Sequence, residues 1–330
     1  MKKWLALVLT VFFAFSFAAC NDGSAEKVTI KYYNNASDML PAMKIGQLAT
    51  GLLPEPAATQ ITKMNAEVSM KIDIQQVYGG DYPQAVLVAK KSVLENDSEF
   101  LSDLMDAMEE NAAWISENDA NAASAVDAIN SALAEGVAAS LKKENIDKKV
   151  VEGCNIYLQP AADAKTSVNE YLAAMRGVEA DAASSVADGF FATLPETTVA
   201  DTDASYEIYM PDGAPALAMA KLIKDGAQFG RTVNYTVVAA ANIRYAVLQK
   251  KADAAIMPVT EASEAIGSGE DYVMLGVVTH GNIYVMSSED ISSLQDLCGK
   301  TIGVIGRGQV PALTFRYLLN KNGIEYQVAE

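Results

Sequence analysis

Asp253-Ala-Ala-Ile-Met-Pro258 lies without a gap over Ala49-Thr-Gly-Leu-Leu-Pro54, and Ala246 and Ala42 in the preceding helical stretches fall in the same register. Each is a short apolar run stopped by proline, the pattern of a buried strand whose ladder ends where an N–H is missing. Two copies of a helix–strand unit in one chain read as a duplication, and duplicated α/β halves that face each other enclose a cleft.

Outward from these runs the α/β rhythm continues. In the first part the sequence predicts strands over 28–33, 49–53, 71–77 and 84–90, with helices over 37–46 and 57–64. After residue 205 it predicts strands over 206–210, 235–239, 254–257, 272–278, 283–287, 299–305 and 324–328, with helices over 216–224, 243–250 and 312–320. Between them, 97–143 reads as one long Ala-rich helical region whose Phe100, Leu101, Leu104, Met105, Met108, Ala112 and Ile115 form a core stripe. A further helix is predicted over 167–176, and 193–205 is polar and apolar-poor, a linker.

The chain has 330 residues, 50% apolar and 20% charged, enough for two cores and incompatible with disorder. Its net charge of −17 repels phosphate backbones and argues against a nucleic-acid partner. One histidine, His280, and three cysteines leave no His/Cys metal cluster. Gly306-Arg-Gly308 lacks the Gly-Lys-Ser/Thr ending of a phosphate loop and the later glycine of a dinucleotide fingerprint, so no cofactor is expected. Lys2 and Lys3 precede an apolar stretch ending in Phe17-Ala-Ala-Cys20, which reads as a secretory signal over 1–19 with a lipidated Cys20 and a polar tether over 20–27. Cys154 and Cys298 could pair in an exported protein or stay as two thiols.

Taken in order, Tyr209-Met-Pro-Asp-Gly-Ala-Pro-Ala-Leu-Ala218, Lys251-Ala-Asp-Ala-Ala-Ile-Met-Pro258, Leu294-Gln-Asp-Leu-Cys-Gly-Lys-Thr-Ile-Gly-Val304, Leu52-Leu-Pro-Glu-Pro-Ala-Ala-Thr59 and Tyr82-Pro-Gln-Ala-Val86 resemble the solute-binding lipoproteins of ABC importers. The nitrate, sulfonate and thiamine-pyrimidine-precursor group is the nearest in motif. The resemblance implies an α/β fold of two lobes, the type II periplasmic binding protein fold, hinged by two strands. The motifs stand in a different order from the family's, as in a circularly permuted chain. One lobe is then split between 24–83 and 291–330, and 84–290 forms the other, with the helical region 97–192 and the linker 193–205 inside it.

On the same basis the ligand-binding residues are Asp212, Gly213 and Ala214 in the first loop, Thr260 and Glu261 after Pro258, and Asn282 at the hinge. Gln309 and Val310 open a helix in the split lobe, where Asn34, Asn35 and Ser37 cap another. Glu55 supplies a carboxylate, and Tyr78 and Tyr82 offer rings on which a flat solute stacks. Asn34, Asn35, Ser37 and Asp212 equally suit plain turn and cap chemistry, and His280, one step from the cleft, suits a structural role.

The implied protein binds a solute without catalysis and delivers it to a permease, working as a monomer held outside the cytoplasmic membrane by lipid on Cys20. A receptor feeding a sensor kinase on the same fold is one alternative. An enzyme resembling the pyrimidine synthases is another, but those need a cysteine-rich segment and histidines that this chain lacks.

Overall fold

The computed structural model describes residues 26–194, 197–200 and 203–329. The signal stretch 1–19, Cys20 and most of the tether lie outside the described residues. The chain runs β1 (Val28–Tyr33), α1 (Ala36–Lys44), β2 (Thr50–Pro54), α2 (Ala57–Met64), β3 (Ser69–Asp73), α3 (Ile74–Tyr78) and β4 (Pro83–Lys90). It continues through α4 (Lys91–Asn96), α5 (Ser98–Ile115), α6 (Asp119–Ser131), α7 (Lys148–Gly153), β5 (Ile156–Pro160) and α8 (Ala161–Val178). Then come β6 (Ser205–Pro211), α9 (Ala214–Leu217), α10 (Ala220–Asp225), β7 (Thr232–Val238), α11 (Ile243–Leu248), β8 (Ala254–Pro258) and α12 (Val259–Ile266). The last elements are β9 (Tyr272–His280), β10 (Ile283–Ser287), β11 (Thr301–Ile305), α13 (Val310–Lys321) and β12 (Tyr326–Val328).

These strands form two six-stranded sheets, ordered β12-β1-β11-β2-β10-β3 and β5-β9-β4-β8-β6-β7. The two orders contain one shared pattern. In the second sheet β7, β6 and β8 run parallel, then β4 and β9 follow with antiparallel pairing. In the first, β1, β11 and β2 run parallel, and β10 and β3 follow with antiparallel pairing. The duplicated runs hold equivalent places: β2 and β8 are each the last parallel strand before the antiparallel pairing, each pairs antiparallel with an inserted strand, and each leads into a helix, α2 or α12. Each sheet with its helices is one lobe. The chain passes between the sheets twice, from Tyr78 to Pro83 and from His280 to Ile283.

Period-two alternation decides how each strand feeds the cores. In β4, Val86 and Val88 enter one apolar cluster while Ala85, Leu87 and Ala89 enter another, and in β8 Ala255 and Met257 part from Ala254 and Ile256 in the same way. The first of these clusters also takes Val28, Ile30, Leu52 and Val285 from the other sheet, so one core runs across both lobes on the side covered by α8 and α13. At its centre the Tyr171 and Thr314 hydroxyls bond at 2.7 Å. Burial of this kind is worth roughly 25 cal/mol per Å² of apolar surface and is what holds the lobes together on that side.

Local capping accounts for the differences from the sequence reading. The strand expected over 71–77 stops at Asp73, whose Oδ1 accepts the N–H groups of Gln75 and Gln76 and starts α3. The helical region expected as one piece over 97–143 breaks at Asn118, which is extended at φ −160° and caps α6 through Asn121 N–H at 2.9 Å. The stripe is nevertheless core: Phe100, Leu101, Leu104, Met108 and Ile115 are buried. Strand β5 and helix α12 were not expected. Within the stretch 84–290 read as a single lobe, β10 belongs to the other sheet. The linker is partly stitched down, since Thr198 and Ser98 exchange backbone and side-chain hydrogen bonds at the start of α5. No disulfide joins Cys154 to Cys298.

Candidate functional site

An open α/β sheet presents its ligand-binding loops at the carboxyl ends of its parallel strands. In the first lobe those loops follow Tyr33, Pro54 and Ile305, and in the second they follow Pro211, Val238 and Pro258. The two crossings lie beside them. They are tied together by Gly281 N–H, which donates to the Tyr82 carbonyl at 2.9 Å, and by Gln75, whose Oε1 accepts Ile283 N–H at 2.8 Å. Gly281 must be glycine here, because a Cβ would lie 2.4 Å from the Tyr82 ring.

Glu55, at the end of β2, is 5% exposed. Its carboxylate accepts Thr59 N–H at 3.0 Å and Thr59 Oγ1–H at 2.7 Å, while its own N–H donates to the Asn282 carbonyl at 3.0 Å. Burial pushes its carboxyl above the usual range, against the lowering effect of the Thr59 bonds. Asn282 is 1% exposed; its Nδ2 reaches the Cys154 carbonyl at 3.5 Å, and its Oδ1 has no hydrogen-bond partner among the described residues. Cys154 packs in the same corner, and burial, reinforced by Glu55, pushes its thiol well up. An unpartnered buried carbonyl oxygen is costly, on the order of 1–3 kcal/mol, which marks this corner as a place that a donor would stabilise.

His280 stacks on Tyr157 with ring centroids 3.6 Å apart, and neither ring nitrogen has a hydrogen-bond partner among the described residues. Burial lowers its pKa to about 4, so the imidazole is neutral. Tyr157 OH donates to Asp81 at 3.0 Å, and Asn155 Nδ2 reaches both Asp81 and the Gly281 carbonyl.

The other expected residues are distributed around the two lobes. Asp212 accepts Ser140 N–H at 2.8 Å through Oδ2, and its buried Oδ1 has no partner among the described residues. Gly213 has φ +112°, a conformation that suits glycine, and Ala214 opens α9. Thr260 is buried on α12, its carbonyl accepting the Ser263 hydroxyl, and burial raises the Glu261 carboxyl nearby. Gln309 precedes α13 without a side-chain capping bond, and Val310 is buried beneath it. Asn35 caps α1, its Oδ1 accepting Asp38 N–H at 2.9 Å, while Asn34 and Ser37 are exposed beside it.

Tyr82 departs from its expected role. It is 1% exposed and lies parallel to Tyr171 at 5.6 Å, so its ring face is taken by the core and does not offer itself to a solute. Tyr78 joins the same aromatic group, 4.8 Å from Tyr82 and 5.9 Å from Tyr317. Sequence reasoning missed Gln75, Gly153, Cys154 and Tyr284 as neighbours of the Glu55–Asn282 corner. The only signal was the helix-rich stretch before Cys154, which gave no reason to place it against β2.

Among the described residues no group of three or more His, Cys, Asp or Glu side chains could hold a metal, and no helix is long and apolar enough to cross a membrane.

Residues 233–329 match the family described as NMT1/THI5 like. Among curated proteins none matches the chain. Solved structures similar to it include the ABC transporter substrate-binding protein CtaP of Listeria monocytogenes, at 9% identity over 77% of this chain and 54% of that one, with a TM-score of 0.30. The periplasmic binding protein DppA of Helicobacter pylori, in complex with peptide STSA, is 8% identical over 80% and 55%, TM-score 0.31. The oligopeptide-binding protein AppA of Bacillus subtilis, in complex with a nonapeptide, is 10% identical over 77% and 54%, TM-score 0.27. The chain spans little more than half the length of each.

Proposed function

We propose that this protein is an extracytoplasmic solute-binding protein that captures a small organic or anionic solute between its two lobes and delivers it to the permease of an ABC importer. The observation that carries it is the pair of sheets with one shared strand pattern, joined by two adjacent crossings and bringing Glu55 and Asn282 together beside them. Such a construction lets a solute favour the closed arrangement, which a permease can recognise. The match of 233–329 to the NMT1/THI5 like family supports the same role.

The proposed role is binding without turnover. The solute site comprises Glu55 and Asn282 with Asp212, Gly213, Ala214, Thr260, Glu261, Gln309, Val310, Asn34, Asn35 and Ser37 on the surrounding loops. Export through a signal over 1–19, anchoring by lipid on Cys20 and a monomeric state complete the proposal. So does a circularly permuted chain order: β11, β1 and β2 take the places in their sheet that β6, β7 and β8 hold in the other, with β12 added at the edge.

A thermal-shift screen of the purified protein over pyrimidines, sulfonates and nitrate tests the role. A solute at a hundred times its Kd adds about 2.7 kcal/mol to stability and raises Tm; chemical conversion of a bound compound would contradict the non-catalytic assignment.

A further inference from the structure

The stretch between α6 and β5 belongs by chain and packing to the second lobe. Ile146, Val150, Val151 and Cys154 are buried in that lobe's apolar cluster together with Leu104, Ala125 and Ile129. Three of its backbone carbonyls, however, accept from the first lobe or the crossing beside it. Lys63 Nζ on α2 donates to the Glu144 carbonyl at 2.8 Å, Tyr284 OH on β10 donates to the Gly153 carbonyl at 3.2 Å, and Asn282 Nδ2 reaches the Cys154 carbonyl. Gly153 comes so close that a Cβ there would sit 3.1 Å from Glu55 Cγ and 3.6 Å from Tyr284 Oη.

We infer that residues 143–155 form a latch that holds the lobes closed over the Glu55–Asn282 corner and must be released for a solute to enter or leave. The two sides of the lobe interface differ in kind. On the α8–α13 side the contact is continuous apolar core, which persists as the pivot. On the latch side hydrogen bonds run to individual carbonyls, each exchangeable for water when the lobes part. A typical hydrogen bond contributes a net factor of about five to the closed-to-open ratio, so removing the Lys63 and Tyr284 bonds shifts it by about 25-fold. The latch regulates the site of the proposed solute-binding role, yet its existence is tested without any solute.

Small-angle scattering of the solute-free protein compares the wild type with the double variant Lys63→Met, Tyr284→Phe and with Gly153→Ala, whose added methyl wedges against Glu55. Far-UV circular dichroism confirms folding of each. The latch predicts a larger radius of gyration for both variants and none for Tyr171→Phe, which removes a hydroxyl on the pivot side. Scattering curves of either folded latch variant that superimpose on the wild type, or an equal expansion in Tyr171→Phe, would overturn it. A solute that binds wild type and latch variants alike, with unchanged scattering, would refute the latch and leave the solute-binding role standing.

Discussion

Gln75 Oε1 lies 2.8 Å from Ile283 N, so a single side-chain oxygen on α3, which leads into the outgoing crossing, satisfies the backbone donor at the point where the returning crossing enters β10. The same oxygen accepts the Tyr82 hydroxyl at 3.3 Å, and Gln75 Nε2 is held by Asp73 Oδ1 at 3.0 Å. One amide therefore registers both passages between the lobes. Gln75→Leu keeps the volume and leaves Ile283 N–H and Tyr82 OH without an acceptor; the expected loss is about 1–3 kcal/mol, seen as a lower urea midpoint. An unchanged midpoint would show that the crossings do not depend on it.

Asp97 is fully buried, and burial alone would raise its carboxyl; hydrogen bonds from Arg231 and from Tyr206 OH at 2.7 Å outweigh this and hold its pKa below the ordinary value. Arg231→Met strands a buried carboxylate, and the expected cost is about 3–5 kcal/mol. Because the folded pKa is lowered, the stabilisation is present above the unfolded carboxyl value and is lost as pH falls through the folded one. Acid unfolding of the wild type followed by circular dichroism should show that loss, and the variant should lack it.

His280 produces a second pH dependence in a different window. Its folded pKa is about 4, below the ordinary 6.5, so the unfolded chain takes up the proton first. Its contribution is complete above pH 6.5 and falls away between 6.5 and 4. His280→Phe, which keeps the stack on Tyr157, should flatten the slope of urea midpoint against pH in that interval; a slope equal to the wild type's would contradict a buried neutral imidazole.

Much of the architecture was legible because it rests on local pattern. Proline after an apolar run marked the ends of β2 and β8, and their alignment paired strands that hold equivalent places in the two sheets. What failed was either a cap or a distant contact. Asp73 and Asn118 override the strand and helix patterns around them through one side-chain oxygen each, which periodicity does not register. At the site, Glu55 and Asn282 were legible as polar residues at strand ends. The partners Gly153 and Cys154, nearly a hundred residues from Glu55, were not, since nothing local in their stretch specifies the lobe they touch. Tyr82 was misassigned for a related reason: an aromatic in a turn-rich loop resembles a stacking surface until Tyr171 covers it.

The chain order has its own test. Lys27 Nζ and Glu325 Oε2 are 2.9 Å apart, and Val28 N–H donates to the Glu325 carbonyl, so β1 and β12 bring the two ends of the described chain together. A reordered chain that starts at Ser205, runs to Ala329, continues through a short glycine-serine joint into Glu26 and ends at Ala192 should fold with the same far-UV spectrum. An unfolded or aggregated product would argue against interchangeable orders.

The central claim is that one small solute binds between the lobes. Native mass spectrometry of the purified protein with pyrimidines, sulfonates and nitrate measures this most directly. The account predicts a 1:1 complex with at least one of them that weakens in Glu55→Ala and Asn282→Ala, each folded by circular dichroism. Absence of any complex across the panel, or a complex indifferent to both substitutions, would contradict it.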